Sequence, residues 1–346
     1  MTINIKDEWK GIKAFTPVSL GGLSVDTRFV RSATELFRAL PDGHICDFEF
    51  DVYRKLAPHP FGLIITAHTC VSPEGRSNMG QNAVWDDEFN PDHRKIAEIV
   101  HSGPAKTIMQ IGPGGMKADG SNDGRPVYTP DNMTAEQIKE VEKAFIHAAV
   151  RAKACGYDGV ELHCAHMYLL SQFFYPQYNH RTDNYGGSGV NRIKITAEIL
   201  SGIKAECGDA FPVLVKLNCD NNEDNDSYFR DVMDAVSVLL SCGCDALETS
   251  GYYSSPIGIP KKPYFCETAS AIAENTDMPV IQVGGIRTTA DIDAILKGKV
   301  RAVSMSRPLT SQPDFIERIY SGEKARCVSC GRCAGLKGIC VLDRKD

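Results

Sequence analysis

The chain has 346 residues, 42% of them hydrophobic and 24% charged, with a formal net charge of -6 and a pI of about 5.9. That balance excludes disordered and fibrous classes, and it counts against a nucleic-acid binder, which needs a basic face to neutralise phosphates. No apolar run reaches the length of a bilayer span and the opening MTINIKDEWKG lacks a signal-peptide core, so a cytoplasmic protein without membrane contact is expected.

After the polar start, AFTPVSLGGLSV (14–25) predicts a β-hairpin turning at Gly21-Gly22. Short runs rich in Val, Ile and Leu then predict strands at 28–32, 62–66, 107–111, 159–163, 213–217, 246–249, 280–283 and 302–305. Such runs suit parallel strands covered on both faces. Helical patterns lie among them at 134–155, 191–207, 228–240, 289–296 and 313–320. In the first, Ile138, Val141, Phe145, Ala148, Ala149 and Ala152 recur at helical spacing, Thr134 and Gln137 form a capping-box pair, and Gly156 follows the end. Eight strands alternating with helices predict an α/β fold, a single (β/α)8 TIM barrel over 1–322 with an N-terminal hairpin. An open doubly wound sheet is the alternative. A short Cys-rich tail, 323–346, follows.

Barrel chemistry sits where the strands end. The fourth strand runs into GVELHCAHMYLLSQF, which puts His163, His166 and Tyr168 together. Two imidazoles can hold an oxyanion while a phenol supplies a proton. Packed polar core residues would be the bland reading of one such His, and a metal site is the other; Glu161 shares the face of His163 by strand alternation. Gln110 ends the third strand with an amide that is both donor and acceptor. Lys216 ends the fifth, and at that depth it must be paired internally or face a ligand. After the seventh and eighth strands come Gly285 and Ser306-Arg307, in the two loops where barrels hold phosphate, against the alternative of a tight turn and a surface Arg.

Together these residues resemble the Old Yellow Enzyme family of FMN-dependent ene reductases, from about residue 15 to about residue 320, most specifically in YDGVELHCAHMYLLSQFFYPQYNHRTDNYGGSGVNR (157–192). The resemblance implies that His163 and His166 bind a substrate carbonyl and that Tyr168 is the active-site tyrosine. It implies that RTDNYGG and Arg192 order the loop after the fourth strand. For FMN it implies Arg31-Ser32-Ala33-Thr34 along the flavin, with Ser32, Ala33 and Thr34 in contact. Ala67 would pass the ring, Gln110 would meet its pyrimidine edge, and Lys216 would lie near N1 and the C2 carbonyl. Gly285, Ser306 and Arg307 would grip the phosphate. NADH or NADPH would reduce the flavin. An α,β-unsaturated carbonyl compound would then take hydride at its β-carbon and a proton from Tyr168 at its α-carbon, in an enzyme expected to be a homo-oligomer. Tyr252, Tyr253 and the segment 173–178 are expected to shape substrate choice.

Two departures stand out. Glu35 occupies a position where much of the family has Thr or Cys, and Ser306 replaces the more usual Gly. The nine scattered cysteines read as reduced core residues, but the tail carries Cys327, Cys330, Cys333 and Cys340 at spacings that suggest a metal more than disulfides. This tail resembles that of the 2,4-dienoyl-CoA reductase branch, which implies a [4Fe–4S] cluster, here fed by an external electron-donor protein; structural zinc and free thiols are the alternatives. A non-flavin metal-dependent or Schiff-base barrel lyase is a different class that the same His and Lys residues allow.

Overall fold

A computed structural model describes residues 6–118, 127–220, 223, 225–253 and 256–343. The hairpin forms as read, with β1 (Val18–Leu20) antiparallel to β2 (Leu23–Val25) and Leu20 opposite Leu23. Gly21 has φ +63, and a Cβ there would fall 2.4 Å from the Asp245 carbonyl oxygen. The Gly22 N–H donates to Asp245 Oδ1 at 2.7 Å. These contacts seat the hairpin across one end of the barrel. Its alternate residues Val18, Leu20, Leu23 and Val25 join the inward-facing Val30, Leu63, Ile65, Ile108, Leu214, Ala246, Ile281 and Ala302 in one buried cluster. That end is filled by apolar side chains.

The eight predicted strands all form: β3 (Phe29–Arg31), β4 (Leu63–Cys70), β6 (Lys106–Ile111), β7 (Gly159–Cys164), β8 (Val213–Asn218), β9 (Ala246–Ser250), β10 (Val280–Val283) and β11 (Ala302–Met305). Every neighbouring pair is parallel, and β3 pairs with both β11 and β4, which closes the barrel. A two-residue strand, β5 (Asn82–Ala83), extends the far end of β4. The register of β4 against β6 shifts between Thr66 and Thr69. A bulge of this kind re-aims the side chains beyond it.

The helices cover the outside. α3 (Ala135–Ala154) starts with the capping box expected of Thr134 and Gln137. α7 (Asn225–Ser241), α9 (Thr289–Leu296) and α11 (Phe315–Tyr320) lie on their predicted segments, while 191–207 divides into α5 (Gly189–Arg192) and α6 (Lys194–Cys207). Three helices of ten residues or more have no counterpart in the sequence reading: α1 (Asp47–Leu56), α2 (Asn90–His101) and α8 (Cys266–Asn275). Each mixes its apolar stripe with something that weakens it. α1 buries Glu49 beside Phe50, α2 buries His93, and α8 packs mainly through the small Ala269 and Ala273 around Ile272. Short helices α4 (Leu169–Phe174), α10 (Arg307–Ser311) and α12 (Arg332–Gly335) sit in the loop after β7, directly after β11, and in the tail.

The tail folds back over the open end of the barrel. Arg326 N–H donates to Gln312 Oε1 at 2.9 Å, Gly258 N–H to the Ser329 carbonyl at 3.0 Å, and Arg38 Nε to the Lys337 carbonyl at 2.6 Å. None of the helices among the described residues is long and apolar enough to cross a membrane.

Candidate active site

A cavity of ≈ 490 Å³ opens where the barrel strands end. Ser32, Ala33, Thr34, Gln110, His163, His166, Tyr168, Lys216, Gly285, Ser306 and Arg307 all line it. Ala67 does not; its N–H donates to the Tyr53 hydroxyl at 2.8 Å, and the β4 bulge presents His68 to the cavity instead.

The turn from β7 to α4 creates the His–His–Tyr cluster. His166 and Met167 have φ of 59 and 65, unusual for residues with side chains. Polar contacts hold this turn: Asn218 Oδ1 accepts the His166 N–H at 3.1 Å, Lys117 Nζ donates to the His166 carbonyl at 2.6 Å, and Gln172 Nε2 to the Met167 carbonyl at 2.5 Å. Strained backbone of this sort persists only where its surroundings over-determine it. The His163 ring lies 5.1 Å from that of His166 and 4.8 Å from that of Tyr168. His166 Nε2 meets Ser250 Oγ at 2.7 Å, whereas His163 Nδ1 is buried with no hydrogen-bond partner in the structure. Burial, reinforced by nearby Lys216 and Lys117, holds both imidazoles well below their ordinary pKa, so both are neutral donors at pH 7.

His68 is a third imidazole in this cluster, 4.7 Å from His163 and 4.4 Å from Tyr168 between ring centres. Gln81 Oε1 accepts from the N–H and hydroxyl of Ser77, so its amide nitrogen is the donor to His68 Nδ1 at 3.1 Å. The neutral ring therefore carries its proton on Nε2. Burial pushes its pKa down to about 3. Sequence reasoning passed over His68 because only the bulge turns it inward.

A buried charge network underlies the cluster. Lys216 Nζ donates to Glu248 Oε2 at 2.6 Å and to Ser32 Oγ at 2.8 Å. Lys216 is thus paired internally while it also lines the cavity. Glu248 lies directly opposite Lys216 in the β8–β9 register, and its other oxygen accepts from Ser304 Oγ. Gln110 Nε2 donates to Glu161 Oε2 at 2.6 Å. Burial first, then the neighbouring Glu248, raises the Glu161 carboxyl to about 8.

Tyr168 Oη donates to Glu35 Oε2 at 3.3 Å, and Asn78 Nδ2 donates to Glu35 Oε1 at 2.9 Å. Burial, then the Glu35 charge, pushes the phenol far above its usual pKa. Burial likewise raises Glu35 to about 7, against the opposing pull of Asn78, Tyr168 and Lys117.

At the other end of the cavity Gly284 and Gly285 have φ of 87 and 76. A Cβ on Gly285 would lie 2.8 Å from Tyr264 N and 2.9 Å from Pro263 Cα, so the close approach that Gly permits is to this chain's own backbone. Arg307 Nη1 donates to the Pro256 carbonyl at 2.7 Å, and Ser306 Oγ meets Thr34 Oγ1 at 2.7 Å. Arg287 adds a second cation to this end. Of the residues expected to shape substrate choice, Tyr253 lines the cavity, while Phe173, Phe174 and Tyr175 are fully buried core. Arg192 donates to the Phe174 and Gly187 carbonyls and pairs with Asp231, tying down the loop after β7.

The tail is part of the wall: Cys333, Ala334 and Gly338 line the main cavity. Cys327, Cys330, Cys333 and Cys340 line one small void of ≈ 20 Å³ behind Arg307, with Cys340 Sγ 3.4 Å from Ser311 Oγ. All four are free thiols. Among the described residues no group of three or more His, Cys, Asp or Glu side chains is arranged to hold a metal ion, so the tail converges without forming a ligand set.

The profile of the family described as "NADH:flavin oxidoreductase / NADH oxidase family" matches residues 13–325. The chain is 30% identical over 340 residues to NADH oxidase of Thermoanaerobacter brockii, covering 91% of this chain and 52% of that protein. It is 28% identical over 376 residues to cinnamate reductase of Clostridium sporogenes, covering 94% and 55%. The chain thus spans about half the length of these relatives. Its structure superposes on Old Yellow Enzyme from Pichia sp. AKU4542 with a TM-score of 0.76 at 25% identity, covering 90% of this chain and 87% of that one.

Proposed function

The chain belongs to the NADH:flavin oxidoreductase / NADH oxidase family, and on that premise we propose that it is an FMN-dependent reductase of the C=C bond in α,β-unsaturated carbonyl compounds, driven by NADH or NADPH. The observation that carries this reading is the cluster of two neutral imidazoles and a phenol in one cavity, with His163 packed against both His166 and Tyr168. The relative described as cinnamate reductase supports it, cinnamate being an α,β-unsaturated carboxylate.

The residues fit FMN. The cavity falls within the range of roughly 300–1,000 Å³ typical of ligand sites. An orphaned imidazole nitrogen on His163 marks a place for a ligand atom. Ser32, Ala33, Thr34, Gln110 and Lys216 would hold the ring system, with Gly285, Ser306 and Arg307 at the phosphate. Ala67 would contribute only as backbone beneath this layer. FMN, when bound, supplies the hydride-transfer chemistry. His163 and His166 would hold the substrate oxygen and stabilise negative charge growing there, while Tyr168 delivers a proton to the α-carbon.

The test is the visible spectrum of the natively purified protein, followed by NAD(P)H-dependent reduction of 2-cyclohexenone by wild type and Tyr168→Phe. Flavin bands and enone turnover that collapses in the variant, with reduction by nicotinamide retained, are expected. A colourless protein that takes up no FMN, or equal enone turnover in both, would defeat the proposal. No step is routed through the tail. Its convergence on one void supports a thiolate metal site only if the side chains rearrange, and iron and zinc analysis of anaerobically purified wild type and Cys330→Ser decides that. A stoichiometric metal lost in the variant would establish the site; neither metal leaves the tail as cavity wall.

A further inference from the structure

Building on the proposed ene reduction, we infer that Glu35 acts through Tyr168 as the proton relay of the site, its acid proton replacing the one that Tyr168 gives to the substrate.

The hydrogen-bond directions are fixed without reference to any ligand. Asn78 Oδ1 accepts the Gly80 N–H at 2.8 Å, so the amide nitrogen of Asn78 is what faces Glu35 Oε1 at 2.9 Å. Glu35 Oε1 is therefore an acceptor. When Glu35 is protonated, its hydrogen must reside on Oε2, the oxygen that faces Tyr168 Oη at 3.3 Å. One acid is thus aimed at the oxygen of the other.

The electrostatics require this arrangement if Tyr168 is to work as an acid. With Glu35 ionised, proton donation by Tyr168 would leave a phenolate in hydrogen-bond contact with a carboxylate. With Glu35 protonated, the two transfers can run together and no such pair forms. The groups facing Glu35 are Asn78 from the loop after β4, Tyr168 from the loop after β7, Lys117 from the loop after β6, and Glu49 from α1. Glu49 disfavours a charge on Glu35, whereas Lys117, held over the Tyr168 ring at 4.8 Å by its bond to the His166 carbonyl, stabilises the carboxylate once it forms. His68 packs edge-on against the Tyr168 ring as a neutral group. Burial places Glu35 at about 7, so both of its forms are populated at neutral pH.

The step balances. The Tyr168 O–H bond breaks as a C–H bond forms at the substrate α-carbon, and the Glu35 O–H bond breaks as that of Tyr168 re-forms. The two electrons arrive as the hydride at the β-carbon, originating in NAD(P)H. Glu35 is left as a carboxylate and recovers its proton from water.

Two measurements test the relay. Infrared difference spectra of the flavin-free protein, wild type minus Glu35→Gln, should show a carboxylic C=O band that titrates away between about pH 5 and about pH 9. The band should shift in Tyr168→Phe, which removes its hydrogen-bond partner. In the holoenzyme, Glu35→Gln should lower enone reduction at neutral pH about 10²-fold, abolish the fall of enone turnover with rising pH through about 7, and spare reduction by nicotinamide; Glu35→Asp should restore part of the rate and a pH limb. No titrating band, or an unchanged enone pH profile in Glu35→Gln, would overturn the relay. A wild type without enone turnover but with the coupled band would instead overturn the proposed reaction and leave the Glu35–Tyr168 unit intact as an acid pair for another substrate.

Discussion

The buried carboxylates beneath the cavity yield a sharp stability prediction. Glu248→Gln keeps the shape of the side chain and its contact with Ser304 but removes the counter-ion of Lys216, which sits at 2.6 Å. Leaving a buried charge unpaired costs about 3–5 kcal/mol. Glu161 offers a substitute, because it feels both Lys216 and Glu248 and is held protonated near 8 partly by Glu248. Its raised pKa opposes ionisation at pH 7, and opposes it less once the Glu248 charge is gone. Glu248→Gln alone should then cost clearly less than Glu161→Gln/Glu248→Gln, which should cost the full amount of about 3–5 kcal/mol. Urea denaturation of the flavin-free protein at pH 7, with equal m-values, measures both. The pH dependence follows with a definite sign. Glu161 titrates at about 8 when folded and at about 4.3 when unfolded, so the native state keeps a proton that the unfolded chain has lost. Its contribution is fully present below the unfolded value and disappears as pH rises through the folded one; Glu161→Gln should flatten that part of the slope. A single substitution as costly as the double would refute the substitution of one counter-ion by the other.

Two further outcomes follow from the site. His163→Ala should lower kcat/KM for an enone about 10²-fold and leave the rate of reduction by nicotinamide nearly unchanged, since the imidazole acts on charge developing in the substrate; stopped-flow of the two half-reactions separates these. Gly285→Ala should cost roughly 1–3 kcal/mol even in flavin-free protein, because φ is +76 and the new Cβ meets the backbone of Pro263 and Tyr264. An unchanged flavin-free Tm with weakened FMN retention would show that the glycine serves the ligand and not the loop.

Much of this molecule was legible in the chain itself. Parallel strands buried on both faces must be continuous apolar runs, and the eight runs fell on the eight barrel strands within a few residues. His163, His166 and Tyr168 were legible because all three lie at the end of one strand or just beyond it, so their proximity needs no knowledge of the rest of the fold. The helices α1, α2 and α8 were not, since buried Glu49, buried His93 and small alanines blur the periodicity that betrays a helix.

What only the tertiary structure decided is which distant groups face one another. Glu35 and Tyr168 stand 133 residues apart, and Lys216 and Glu248 meet only through the β8–β9 register. His68 enters the site through a bulge, and Gly285 is required by the Pro263–Tyr264 backbone of a loop earlier in the chain. Local pattern reports whether a position is buried. Ring closure sets which inward-pointing side chains share the enclosed end, and therefore which of them share a proton.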